Sequence, residues 1–175
     1  MKLILETNRL RLREFSLKDA DFVLKLVNTP SWIQFIGDRN IHTLEAAKKY
    51  IEENLLKSYA QNGFGLWLME LKNTSKPIGM CGLVNRDSLE DIDIGFALLP
   101  AFERKGYTFE AAKATLTHAK EVLQISKVVA ITDASNVASI GLLHKIGLQF
   151  EKEVQLAEKN TVLLFSEQLS DMNKN

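Results

Sequence analysis

Cys81 is the only cysteine in the 175 residues, so no intrachain disulfide can form and the fold must rest on packing and hydrogen bonds. Proline is scarce, with three residues, and no stretch is rich in proline, glycine or serine. That removes any obvious linker and predicts one domain over 1–168, followed by a polar C-terminal tail at 169–175. Neither sign of charge dominates, because Lys plus Arg and Asp plus Glu are 22 each. No global field therefore draws the chain to nucleic acid or to an anionic membrane, and neither partner is expected. No apolar run approaches a membrane span. The apolar opening ends at Glu6, too short for a signal-peptide core. With the lone thiol, this predicts a cytoplasmic protein. No His, Cys or carboxylate group has metal-ligand spacing, and no metal is expected. There is no Gly-x-Ser-x-Gly elbow and no phosphate loop ending in Gly-Lys-Ser/Thr.

The patterns that are present alternate between strand and helix. Leu10, Leu12 and Phe15 among Arg9, Arg11 and Arg13 predict a first strand over Thr7–Phe15. Ser16 with Asp19 forms a capping-box pattern before a helical stripe of Phe22, Val23, Leu26 and Val27. Residues 29–41 read as irregular, with Trp32 and Phe35 either packed under a loop or walling a substrate site. Thr43 can cap a second helix. Strands are predicted at 65–71, 77–84 and 90–98. In the last of these, Asp91 and Asp93 share a face with Gly95 and Ala97, opposite Ile92, Ile94 and Phe96. A mid-strand acid is unfavourable by propensity, so either that face is wet or the carboxylate has a task. A helix follows Gly106. Lys127–Thr132 reads as a buried strand, then a short helix closes at Gly147, and two strands finish the domain. Cys81 reads as a buried structural thiol. His118 reads as a boundary residue and His144 as an exposed one.

Two loops carry the chemistry. Pro100–Ala111 reads Pro-Ala-Phe-Glu-Arg-Lys-Gly-Tyr-Thr-Phe-Glu-Ala, a basic, glycine-bearing approach to a helix N-terminus. Free backbone N–H groups and partial positive charge make such a terminus attractive to phosphate. The second is Asn136-Val-Ala-Ser139, which opens the short helix ending at Gly147. In order and at this spacing, the two resemble the acetyl-CoA-binding core of the GNAT acetyltransferases. Within that family they are most similar to the branch that acetylates N-termini of ribosomal proteins. The resemblance runs from about Glu6 to about Phe165.

The resemblance implies an α/β (α+β) fold, a single domain with a mixed, mostly antiparallel seven-stranded sheet and about four helices. The fourth and fifth strands, 90–98 and 127–132, would splay to admit the cofactor's pantetheine arm. It places the pyrophosphate on the loop of Arg104, Lys105, Gly106, Tyr107 and Thr108, and the pantetheine amides on Phe96, Ala97 and Leu98. Asn136 would serve both cofactor and chemistry. Asp93, or failing it Asp91, would accept the amine's proton, the Leu98 N–H would face the oxyanion, and Ser139 would protonate the departing thiolate. Ser139 takes that role because Leu143 stands where many relatives have Tyr. Trp32 and Phe35 would border the acceptor. The implied partners are acetyl-CoA as cosubstrate and a primary amine, first a protein or peptide N-terminus. The alternatives are a small amine (polyamine, amino acid or antibiotic), or a CoA-binding module without catalysis. The last is motivated by Glu103 and Thr108, which depart from the family pattern, and by Leu143. A monomer or homodimer is expected.

Overall fold

The computed structural model of the chain describes residues 1–157 and 160–170. Its strands are β1 (Leu3–Glu6), β2 (Leu10–Arg13), β3 (Leu66–Leu71), β4 (Pro77–Val84), β5 (Ile92–Leu98), β6 (Lys127–Thr132), β7 (Gln149–Ala157) and β8 (Asn160–Gln168). They form one sheet in the order β1-β2-β3-β4-β5-β6-β8-β7. Only β5 and β6 pair in parallel. The helices are α1 (Ala20–Val27), α2 (Pro30–Phe35), α3 (Leu44–Tyr50), α4 (Lys57–Asn62), α5 (Tyr107–Glu121) and α6 (Val137–Ile146). A π-helical stretch, Ile51–Leu56, joins α3 and α4 into one rod, giving five helical bodies among the described residues.

The architecture is the expected one, with two corrections in count. Among the described residues there are eight strands rather than seven. The expected single strand over 7–15 narrows to β2, and the additional strand β1 precedes it across a turn in which the Thr7 N–H donates to Leu10 O at 2.9 Å. At four residues β1 is too short to announce itself by alternation. The second correction is α2, inside the stretch read as irregular. Pro30 stands at its first turn after an extended Thr29, a favoured helix start. Six residues are too few to display a 3.6-residue period.

Each face of the sheet has its own core. Trp67, Met69, Cys81, Ile94 and Phe165 pack against α5 and α6. Leu68 and Met80 meet Phe22, Leu26, Trp32, Ile51 and Leu55 from the helices on the other side. Burial pushes the Cys81 thiol up to about 12, which fits an inert core residue. His118 is half-buried with its ring edge-on to Trp67, and His144 is exposed against Phe165. Leu169 is buried and its N–H donates to Ser126 O, so the chain is tied down past β8. Residues 171–175 of the expected tail, and residues 158–159 between β7 and β8, lie outside the described residues.

A charge cluster fastens the edge of the sheet to the first helix. Arg13 donates to both oxygens of Asp19, at 2.9 and 3.0 Å, and to Glu70 at 3.0 Å, with all three side chains largely buried. Asp19 also accepts from the Ser16 N–H at 2.8 Å, completing the expected cap. Burial acts to raise the Asp19 carboxyl, but Arg13 and Ser16 outweigh it and hold it below its ordinary value. Arg13→Leu should cost about 3 kcal/mol at pH 7, because it strands two buried carboxylates. Asp19 is depressed in the folded state, so its contribution is present above pH ~4 and disappears as pH falls through its lower folded value. Chemical denaturation of both proteins at pH 7 and pH 3 tests this. A gap that does not narrow at pH 3 would remove the Asp19 assignment.

Candidate active site

The sheet opens between β5 and β6. Their parallel ladder joins only Ile92 to Val128 and Asp93 to Val129. Beyond it the strands part around a cleft of about 1010 Å³, lined by both strands, by α2 and the start of α6, and by the loop before α5. On its other side β5 pairs with β4 without interruption from Asp93 to Leu98. The Leu99 N–H donates to Ile78 O on β4, so alternation turns the peptide groups of Leu98 and Phe96 the opposite way, into the gap. Two strand-edge peptide groups therefore face the cleft without a ladder partner on that side.

The loop at one end brings Arg104, Gly106, Tyr107 and Thr108 onto the cleft wall. Arg104 and Gly106 both adopt left-handed backbone, with φ of 61° and 79°. Gly106 is the N-cap of α5 and supplies no side-chain oxygen, so the first helical N–H groups stay uncapped. Arg9, from the β1–β2 turn, braces this loop. It donates to Lys105 O at 2.9 Å and to Glu110 at 2.7 Å, and lies 4.4 Å above the Tyr107 ring. Nothing in the local sequence tied Arg9 to this loop. Lys105 differs from expectation: it does not line the cleft, and its ammonium turns back to Ala101 O at 3.0 Å. Asn136 caps α6 by accepting the Ser139 N–H at 3.2 Å, and both residues line the cleft. The Ser139 hydroxyl makes no hydrogen bond among the described residues.

Asp93 stands where the two strands begin to part. It is 1% exposed, which answers the question of whether its face is wet. The Arg86 Nε–H donates to its Oδ2 at 2.6 Å, while Oδ1 is buried with no hydrogen-bond partner among the described residues. Burial pushes the carboxyl from 3.8 up to about 6, against the pull of Arg86 and of the nearby Ile131 N–H. Arg86 was not singled out in the sequence, although the hairpin contains the signal. Val84 pairs with Asp93, so a residue just past Val84 returns beside it. Asp91 is instead bound to Lys127 at 2.9 Å and does not line the cleft. Trp32 and Phe35 of α2 form the far wall with Arg39 and Tyr50. Trp32 is 4% exposed, and its indole N–H is likewise unpartnered.

Moving a carboxyl from 3.8 to about 6 opposes folding by up to about 3 kcal/mol at neutral pH. The folded state holds the proton more tightly, so stability falls as pH rises from 4 through 6. Asp93→Asn removes the charge and leaves Arg86 free to reach water. This variant should melt higher than wild type at pH 7–8, and the difference should vanish below pH 4. Equal melting across that range would show that Asp93 is not strained by burial.

Residues 9–149 match the acetyltransferase (GNAT) domain. An N-acetyltransferase of Bacillus subtilis, YjdG, is 30% identical over 151 residues, covering 82% of this chain and 88% of its own length. An acetyltransferase from Agrobacterium tumefaciens superposes with a TM-score of 0.80 at 22% identity, over 94% of this chain and 93% of its own. RimL, a ribosomal L7/L12 α-N-protein acetyltransferase solved with coenzyme A, superposes with a TM-score of 0.81 at 19% identity, over 95% and 98%. A profile match across most of the chain, over a sheet that parts between β5 and β6, makes this chain a member of the GNAT family of acetyltransferases.

Proposed function

We propose that the protein transfers the acetyl group of acetyl-CoA to a primary amine, with a peptide N-terminal amine as the first acceptor class. The observation that carries this reading is Asp93. It is a buried carboxylate at the fork of the cleft with one oxygen unpartnered and a proton affinity poised near neutrality.

The cofactor end has the fittings for CoA. The uncapped start of α5 and the left-handed Arg104–Gly106 turn offer N–H groups and charge to a pyrophosphate. The peptide groups of Phe96 and Leu98 offer strand-like bonds to the pantetheine amides, and Ala97 lines the same wall. The Lys105 side chain has no part in this, although its carbonyl holds Arg9 and so the loop.

In the reaction the amine nitrogen attacks the thioester carbonyl carbon. A C–N bond forms, the C–S bond breaks, and the nitrogen gives up a proton. Asp93 accepts that proton through Oδ1, directly or across one water. The Leu98 N–H, facing the gap, donates to the oxyanion. The Ser139 hydroxyl, at the first turn of α6, donates to the departing thiolate, and Asn136 fixes that turn by capping it. The open wall of Trp32 and Phe35 receives the acceptor.

Acetyl-CoA should raise the melting temperature by binding the folded state. Gly106→Trp should abolish the shift, because a side chain would fill the pyrophosphate position from a backbone that resists substitution at φ 79°. An undiminished shift in that variant would remove the cofactor site. Thiol release from acetyl-CoA with an N-terminal peptide tests the whole reading. Turnover should rise with pH through an apparent pKa near 6, following Asp93. Asp93→Asn should suppress it, with the loss shrinking at high pH as more amine arrives neutral. Ser139→Ala should lower turnover about 10²–10³-fold while sparing acetyl-CoA binding. A wild-type profile in Asp93→Asn would assign the proton to water alone.

A further inference from the structure

The acceptor end of the cleft carries more positive charge than an amine site needs. Its only carboxylate among the described residues is Asp93, already bound by Arg86. The other acids on the wall, Glu103 and Asp133, sit in the loops that lead into α5 and α6, at the opposite end. Arg39 lines the acceptor end and has no ion pair or hydrogen bond among the described residues. Its neighbour Asp38 does not line the cleft and is engaged by the Asn40 N–H at 2.8 Å and by His42 at 3.7 Å. Arg39, Arg86 and Tyr50 all line the cleft, and both guanidiniums favour the ionised Tyr50 hydroxyl against the burial that raises its pKa. Trp32 also lines the cleft, and its indole N–H is buried without an acceptor among the described residues. The cleft lining thus holds one orphan carboxylate oxygen, suited to an amine, together with an orphan N–H and a free guanidinium, suited to an anion.

We propose that this end selects an amine bearing a carboxylate close to its nitrogen, with Arg39 and the Trp32 N–H reading the carboxylate and Asp93 the nitrogen. The proposal rests on the acetyl-transfer reading above. The carboxylate is supplied either by an acidic residue next to a peptide N-terminus or by a free amino acid. A polyamine brings only positive charge to two guanidiniums and is disfavoured.

The test is thiol release by the full chain at low ionic strength, with acetyl-CoA and paired acceptors. These are Ser-Glu and Ser-Gln peptides, free glutamate and glutamine, and spermidine. The acidic member of a pair should show kcat/KM about tenfold above its amide twin, the effect of one partly exposed charge-assisted contact. Salt should erode the advantage. Arg39→Gln should collapse the ratio toward one while the acetyl-CoA thermal shift stays intact, and Arg39→Lys should keep part of it. An advantage in the peptide pair or in the amino-acid pair supports the proposal and identifies the source of the carboxylate. Equal rates within both pairs, spermidine as the best acceptor, or a ratio that survives Arg39→Gln would overturn it while leaving acetyl transfer standing. Turnover of no amine at all would overturn both.

Discussion

A β-strand that loses its neighbour partway along must do something with the peptide groups left facing the gap. β5 has that problem from Ile94 onward: β4 holds one side throughout, while β6 leaves after two residues. Unpaired backbone groups inside a protein are costly, and they persist here because the gap is a cleft open to water and to ligand. The rest of the molecule maintains that parting. α5 and α6 cover one face of the sheet and set their N-termini at the opening, and α1 to α4 cover the other face, with α2 and the end of α3 walling its far side. Arg9 reaches from the first hairpin to hold the loop before α5, so even the sheet edge contributes to the shape of the opening.

Two features of the site oppose folding. Arg104 occupies left-handed backbone without being glycine, and Asp93 is buried with half its hydrogen-bonding capacity unused. Each is a local cost that the two cores must offset. Arg86 limits the second: its single bond to Oδ2 keeps Asp93 ionisable near neutral pH while leaving Oδ1 unpartnered. The two buried charge sites thus have opposite character. In the Arg13–Asp19–Glu70 cluster the guanidinium bonds both carboxylates and steadies the fold, whereas Arg86–Asp93 is left with one carboxylate oxygen unpartnered at the fork of the cleft.

The sequence by itself determined the long elements, since their signals are local and repeated. The stripe of α5, the buried run of β6, and the caps Ser16, Thr43 and Asn136 were all legible. So were the glycine-bearing loop and the Asn136 turn as a pair, which led to the family. The hairpin of β1 and β2 and the six-residue α2 were not, because short elements give too few residues to show a period. The direction of Lys105 was beyond reach for a similar reason, since a flexible charged side chain settles on whatever the surrounding loop offers. Tertiary structure alone decided that Asp93 is dry, that Asp91 is tied to Lys127, that Arg39, Tyr50 and Arg86 converge on one opening, and that Arg9 braces the loop before α5. Proton affinity and charge pairing depend on distance and burial, and those are set by segments far apart in the chain that only the folded sheet brings together.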